Sequence, residues 1–150
     1  IQKRIATRRY LGIIHGALPG EEGQIIGNIG RHPINRKKYA VVDDGSGRYA
    51  CTYWKLFERL GDYSLVKFKL ETGRTHQIRV HCAHIGHPIL GDITYSRCRK
   101  LPVSLSGQVL HAVRLGLRHP YSNKEMIFEA PLPEEFERLL KLLRIRSSNH

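Results

Sequence analysis

Acidic side chains are scarce in this sequence. Its 150 residues hold 13 Asp and Glu against 25 Lys and Arg, a formal net charge of +12 at pH 7. That field excludes cationic partners and suits polyanions, nucleic acid first and an anionic membrane surface second. Cysteine is scarce too. Cys51, Cys82 and Cys98 are an odd number without framework spacing, so ordinary thiols in a reducing, cytoplasmic setting are expected rather than a disulfide scaffold. No stretch approaches the ~18 apolar residues of a membrane span. No basic segment followed by an apolar one opens the chain as a secretory signal would. The only methionine is Met126 and the first residue is Ile1, so we expect a fragment of a longer sequence. Hydrophobic residues make up 41%, enough for a buried core, which excludes wholesale disorder. Without repeats or linkers, the length fits one continuous unit.

Patterning then divides the chain into elements. Tyr10–Ile14 reads as a strand after a basic start carrying Lys3, Arg4, Arg8 and Arg9. The glycine-rich stretch 20–30 reads as loop with a short strand at Ile25–Ile26, and Tyr39–Val42 as a strand closed by the turn-forming Asp43-Asp44-Gly45. Residues 48–60 and 63–71 form the best hairpin candidate, joined by Gly61-Asp62. There Val66, Phe68 and Leu70 alternate with Lys67 and Lys69, which predicts one buried and one wet face. Between Thr75 and Ile85 the period becomes helical, with Ile78, Cys82 and Ile85 recurring and Gly86 as the stop. Val109–Arg118 alternates again, placing His111, Val113, Leu115 and Leu117 on one side, with Met126–Ala130 as antiparallel partner. A closing helix begins at Pro133 and buries Phe136, Leu139, Leu140 and Leu143. The class is α+β, with a mixed, mainly antiparallel sheet and flanking helices.

Chemistry concentrates in Leu70–Tyr95, LETGRTHQIRVHCAHIGHPILGDITY, with four histidines and two arginines. A turn-to-helix entry with Arg74 beside it is suited to phosphate. Arg79, one turn inside the helix, suits bidentate recognition of a carboxylate or phosphate. His81, His84 and His87 step by three, but neither a His-Glu-x-x-His nor a Cys-x-x-Cys pattern accompanies them, so no metal site is expected. No serine sits in a nucleophile-elbow context. Of the four aspartates, Asp43, Asp44 and Asp62 lie in turns.

The segment TGRTHQIRVHCAHIGHPILGDITY closely resembles the signature of the RluA-type RNA pseudouridine synthases, enzymes that isomerise uridines in ribosomal and transfer RNA. The segments RRYLGIIHG, IGRHPINRKKYAV, ACTYWKLFERL, YSLVKFKLETG, VLHAVRLGLRHP and FEAPLPEEF resemble the rest of that family's catalytic domain, so nearly the whole chain is covered. The resemblance implies that Tyr10 contacts the target base and moves a proton. It implies that Arg79 pairs with the catalytic aspartate. It further implies that Arg74, Thr75, His76 and Gln77 shape the active-site wall or touch RNA, and that Gly91 and Asp92 have a structural turn role. RNA is the implied partner, ribosomal ahead of transfer, with no metal and no cofactor.

One departure stands out. The family's nucleophile is the aspartate of a His-Arg-Leu-Asp motif, and no such motif occurs here. Residues 1–150 are therefore expected to be the C-terminal portion of a pseudouridine synthase catalytic domain, inactive alone. The alternative is a non-catalytic RNA-binding remnant, or one product of a split gene, that keeps the basic surface without the nucleophile. Binding to an acidic membrane ranks last, because the closing helix mixes Glu134, Glu135 and Glu137 with Arg138, Lys141 and Arg144.

Overall fold

The computed structural model describes residues 4–96, 101–119 and 121–148; Cys98 lies outside them. Ten elements follow in order: β1 Arg4–His15, β2 Glu22–Ile26, β3 Ile29–Arg31, β4 Tyr39–Val41, β5 Cys51–Leu60, β6 Tyr63–Leu70, α1 Gln77–His84, β7 Leu110–Arg118, β8 Glu125–Glu129 and α2 Glu134–Ser148. Six strands form one sheet in the order β2-β5-β6-β1-β7-β8, and β3 and β4 pair separately as a small hairpin. The described pairings are all antiparallel.

The Gly61-Asp62 turn forms as the sequence predicts, with Leu60 opposite Tyr63 and Gly61 at φ 68°. A left-handed first turn residue matches the twist of the two strands it joins. Strand alternation then sorts side chains to two faces. On one face Ile14, Trp54, Val66 and Phe68 pack with Ile78 and Cys82 of α1 and with Ile89. On the other, Ile13, Leu60 and Leu65 pack with Phe136, Leu139, Leu140 and Leu143 of α2. Each such leucine contributes about 1.5–3 kcal/mol when fully buried, so α2 is held by its apolar stripe rather than by its ion pairs. The face carrying Lys67 and Lys69 is consequently wet only in part, because α2 covers Leu65 farther along the same strand.

Three expectations change. The segment read as loop up to Gly30 contains β3, whose three residues are too few to show a period. Ile85 falls just past α1 and is 36% exposed, because its N–H closes the last turn on His81 and Gly86 reverses the chain at φ 83°. In β7 the pairing jumps from Arg9–Arg114 to Tyr10–Ala112, leaving Val113 without a partner. This bulge shifts the alternation by one residue, so His111 and Leu115 lie on opposite faces instead of sharing one. None of the described helices is long and apolar enough to cross a membrane.

Candidate active site

Helix α1 carries Arg79, and a buried polar network clamps the helix to the sheet. Gln77, 2% exposed, donates through Nε2 to the Cys51 carbonyl and to Thr52 Oγ1, both at 2.9 Å. Its Oε1 accepts from the Arg74 N–H at 3.0 Å and from the Thr72 hydroxyl at 2.7 Å. His81 Nε2 donates to the Gly27 carbonyl at 2.9 Å, and with the Thr52 hydroxyl donating to the bare Nδ1 at 2.8 Å the ring is the Nε2–H tautomer. This chain of donors requires a neutral His81 ring. Burial, with a smaller contribution from the His84 charge, lowers its pKa below the ordinary value of 6.5.

The sign of the resulting pH dependence is fixed. A histidine whose pKa is depressed by folding adds stability above its unfolded pKa and loses it as pH falls through the folded value. Hydrogen-exchange protection of the α1 amides is therefore expected to weaken between pH 7 and pH 5. A His81→Gln variant should show a shallower dependence. His76, whose pKa is lowered by partial desolvation and by the charge of Arg79, supplies the remainder. An unchanged slope in the variant would remove His81 from this role.

Arg79 lies in the first turn of α1. Its Nε and Nη2 each donate to Asp92 at 2.9 Å, to Oδ2 and Oδ1 respectively. The Asp92 side chain is fully buried and that of Arg79 is 13% exposed. Oδ1 of Asp92 also accepts the N–H groups of Thr94 and Tyr95, at 3.1 and 3.2 Å. Burial by itself raises the Asp92 pKa, but the Arg79 hydrogen bond and charge and the two amides outweigh it and hold the carboxyl below its usual range. Gly91 sets this carboxylate in place at φ 79°, and a Cβ there would run into the Gly107 carbonyl, so only glycine fits. The turn role expected for Asp92 is present, but it is half of the residue's work. The pairing with Arg79 spans thirteen positions and leaves no mark in local sequence patterning. The one available signal was that Asp92 stands inside the motif, directly after a glycine.

The guanidinium plane also lies over the Tyr95 ring, 5.1 Å from its centroid. Tyr95 Oη accepts the Tyr39 N–H at 3.2 Å and shares a hydrogen bond with His76 Nδ1 at 2.7 Å. His76 is held left-handed at φ 55°, exposed, with its ring edge-on to both tyrosines. Sequence reasoning missed Tyr95 and Tyr39 altogether.

The remaining predicted residues are dispersed. Thr75 is exposed beside His76. Arg74 directs Nε to the Tyr49 carbonyl at 2.7 Å, so its stem is fixed, and its own N–H is bonded to Gln77 Oε1. Gln77 is internal and braces the wall from behind. Tyr10 is half-buried on the α1 face of the sheet, at the margin of the cluster around Phe68 and Trp54. Among the described residues no hydrogen bond joins it to Arg79. Cys82 is fully buried and burial pushes its thiol pKa up, which removes it as a nucleophile. The described residues contain no group of three or more His, Cys, Asp or Glu side chains able to hold a metal ion. A groove of about 680 Å³ opens on the opposite sheet face, between Arg9, Leu11, Tyr53, Lys55, Lys67 and Lys69, away from Arg79.

This sheet, with α1 and its buried Arg–Asp pair on one face, has the fold of a pseudouridylate synthase domain. The solved structure of human RNA pseudouridylate synthase domain containing 1 matches it with a TM-score of 0.71 at 26% identity, over 92% of this chain and 65% of that one. The family model for RNA pseudouridylate synthase matches residues 1–84, and the chain belongs to that family. An uncharacterised RNA pseudouridine synthase of Synechocystis is 44% identical over 147 residues, covering 97% of this chain and 45% of the relative. Ribosomal large subunit pseudouridine synthase D of Zymomonas mobilis is 40% identical over 149 residues, covering 95% and 47% respectively. The chain thus spans about half the length of these curated relatives.

Proposed function

We propose that residues 1–150 are the C-terminal portion of a pseudouridine synthase catalytic domain. The complete enzyme isomerises uridine to pseudouridine in structured RNA of the cytoplasm, ribosomal RNA ahead of transfer RNA. The observation that carries this reading is the state of Arg79. Two of its donors are spent on a buried carboxylate, while Nη1 has no partner among the described residues. Such a guanidinium is rigid and desolvated, and still has an N–H to offer a second carboxylate. An aspartate held there within ~4–6 Å of the charge stays ionised and ready to act as nucleophile. The names of the relatives, among them ribosomal large subunit enzymes from several bacteria, support ribosomal RNA as the substrate class.

In this reading the reaction needs no cofactor. The nucleophile comes from the His-Arg-Leu-Asp segment, which the chain does not contain. The target uridine must leave its stack to reach it, and the cost of a few kcal/mol is offset by basic contacts to flanking phosphates. Tyr10 contacts the extruded base and moves a proton. The complete protein is expected to form pseudouridine in ribosomal RNA, measured by chemical mapping, whereas residues 1–150 alone form none. Tyr10→Phe should fold normally and slow turnover by roughly 10²-fold or more, the scale of lost general acid–base catalysis. A Tyr10→Phe protein that unfolds would make the tyrosine a core residue. RNA binding without any turnover by the complete protein would favour the non-catalytic remnant.

A further inference from the structure

The tip of the β3–β4 hairpin has no part in the chemistry described so far, yet it is closely hydrogen-bonded. Six hydrogen bonds fix it. His32 Nδ1 accepts the N–H groups of Ile34 and Asn35 at 3.1 and 3.0 Å. Asn35 accepts from Lys37 through its side chain at 3.2 Å and from Lys38 through its carbonyl at 3.0 Å. The His32 N–H reaches the Lys38 carbonyl at 2.9 Å, and Arg31 Nη1 reaches the Arg36 carbonyl at 3.1 Å. This rigid tip displays a large apolar side chain to water, since Ile34 is 88% exposed. From Ile29 to Val42 the chain carries Arg31, Arg36, Lys37 and Lys38 and not one carboxylate.

The hairpin is also coupled to the reaction site. The Arg31 guanidinium lies 4.7 Å from the Tyr39 ring centroid, Tyr39 meets His76 edge-on at 5.7 Å, and His76 meets Tyr95 at 5.5 Å. Tyr95 in turn lies under Arg79. A continuous ladder of aromatic rings and guanidinium groups therefore links the base of the hairpin to the catalytic arginine.

We propose that the hairpin tip is a wedge for structured RNA. Ile34 enters the base stack next to the target nucleotide and fills the gap left as that nucleotide turns outward, while Arg36, Lys37 and Lys38 hold the neighbouring phosphates. The argument rests on the reading of this chain as part of an RNA pseudouridine synthase. Apolar side chains flanked by cations are the recurrent device for opening a base step. A rigid tip serves the purpose because little order has to be created on binding. A protein partner would seat the isoleucine in an apolar socket, but a hairpin carrying four cations, with Asp44 near Arg36 as the nearby carboxylate, favours a polyanion.

The test uses the complete enzyme and a ribosomal RNA fragment in two forms, one with the target uridine base-paired and one with its pairing partner deleted. Ile34→Ala is expected to shift the kcat/KM ratio tenfold or more in favour of the unpaired form, and Ile34→Leu to restore the original ratio. A 2-aminopurine placed beside the target should brighten when the unsubstituted enzyme binds, and much less with Ile34→Ala. Equal effects on both RNA forms, or none, would overturn the wedge, as would selective loss of a protein complex in the variant. If the unsubstituted enzyme forms no pseudouridine, the reading of the reaction falls, and the 2-aminopurine signal judges the wedge independently. Because Ile34 projects into solvent, the variant should melt with the unsubstituted protein, which separates this result from misfolding.

Discussion

Asp92→Ala lowers the melting temperature by about 6–20 °C. The substitution leaves Arg79 charged, largely buried and without its carboxylate, and removes the acceptor that caps the Thr94 and Tyr95 amides. Removing one partner of a buried ion pair costs about 3–5 kcal/mol, much of it the penalty on the charge left behind. In a domain of this size each kcal/mol moves the midpoint by about 2–4 °C. Asp92→Asn should fall between the two, because an amide oxygen still accepts the two N–H groups while the charge is gone. The acid limb of stability tests the same pair. The folded carboxyl is held below its usual range, so its contribution is complete above the unfolded pKa near 3.9 and is lost as pH falls further. Asp92→Ala should therefore flatten the stability curve below about pH 4. A midpoint within 2 °C of the parent protein would show that the pair adds nothing.

Arg79→Ala in the complete enzyme lowers kcat by roughly 10³-fold or more and leaves the RNA dissociation constant within a few-fold. The split follows from where the side chain points. Arg79 is bound to Asp92 and stacked on Tyr95 inside the wall, whereas RNA affinity comes from many cations at the surface. If the guanidinium orients and ionises the nucleophile as proposed, its loss is on the scale of removed electrostatic preorganisation. Arg79→Lys is the informative companion. It keeps the charge and much of the stability but cannot make the two-point contact to Asp92 while reaching a second carboxylate, so its turnover should also be low. The pH–rate profile adds a readout that misfolding would not produce. Without the guanidinium, the nucleophile's pKa rises by about 1–3 and the acidic limb moves to higher pH. Turnover near that of the parent protein would end the assignment.

Much of this protein was legible in its sequence because local rules and tertiary fold agree. Period-two alternation in Val66–Leu70 marked β6, Gly61-Asp62 marked its hairpin, and the spacing of Phe136, Leu139, Leu140 and Leu143 marked α2. The motif around Arg74–Gln77 and Arg79 was legible as a family signature, and the family model and relatives bear that out. What stayed hidden depends on chain segments far apart in sequence. The Val113 bulge exists because β7 must pair with a strand more than a hundred residues earlier, and alternation within β7 says nothing of that register. Strand β3 forms only because β4 lies across from it.

The same division runs through the site. Composition and patterning pointed to a basic α+β chain, the motif resembled the RNA pseudouridine synthases, and Arg79 was suited to a carboxylate or a phosphate. Only the tertiary structure decided which carboxylate that arginine holds here. Asp92 reaches Arg79 because Gly91 turns the chain left-handed beneath α1, where burial strengthens a charge pair that solvent would weaken. Only the fold showed that Gln77 and His81 face inward as the clamp on α1, and that Ile34, an ordinary apolar letter in the sequence, stands almost wholly in water. Exposure and long-range pairing are properties of the packed chain, and no local pattern of residues encodes them.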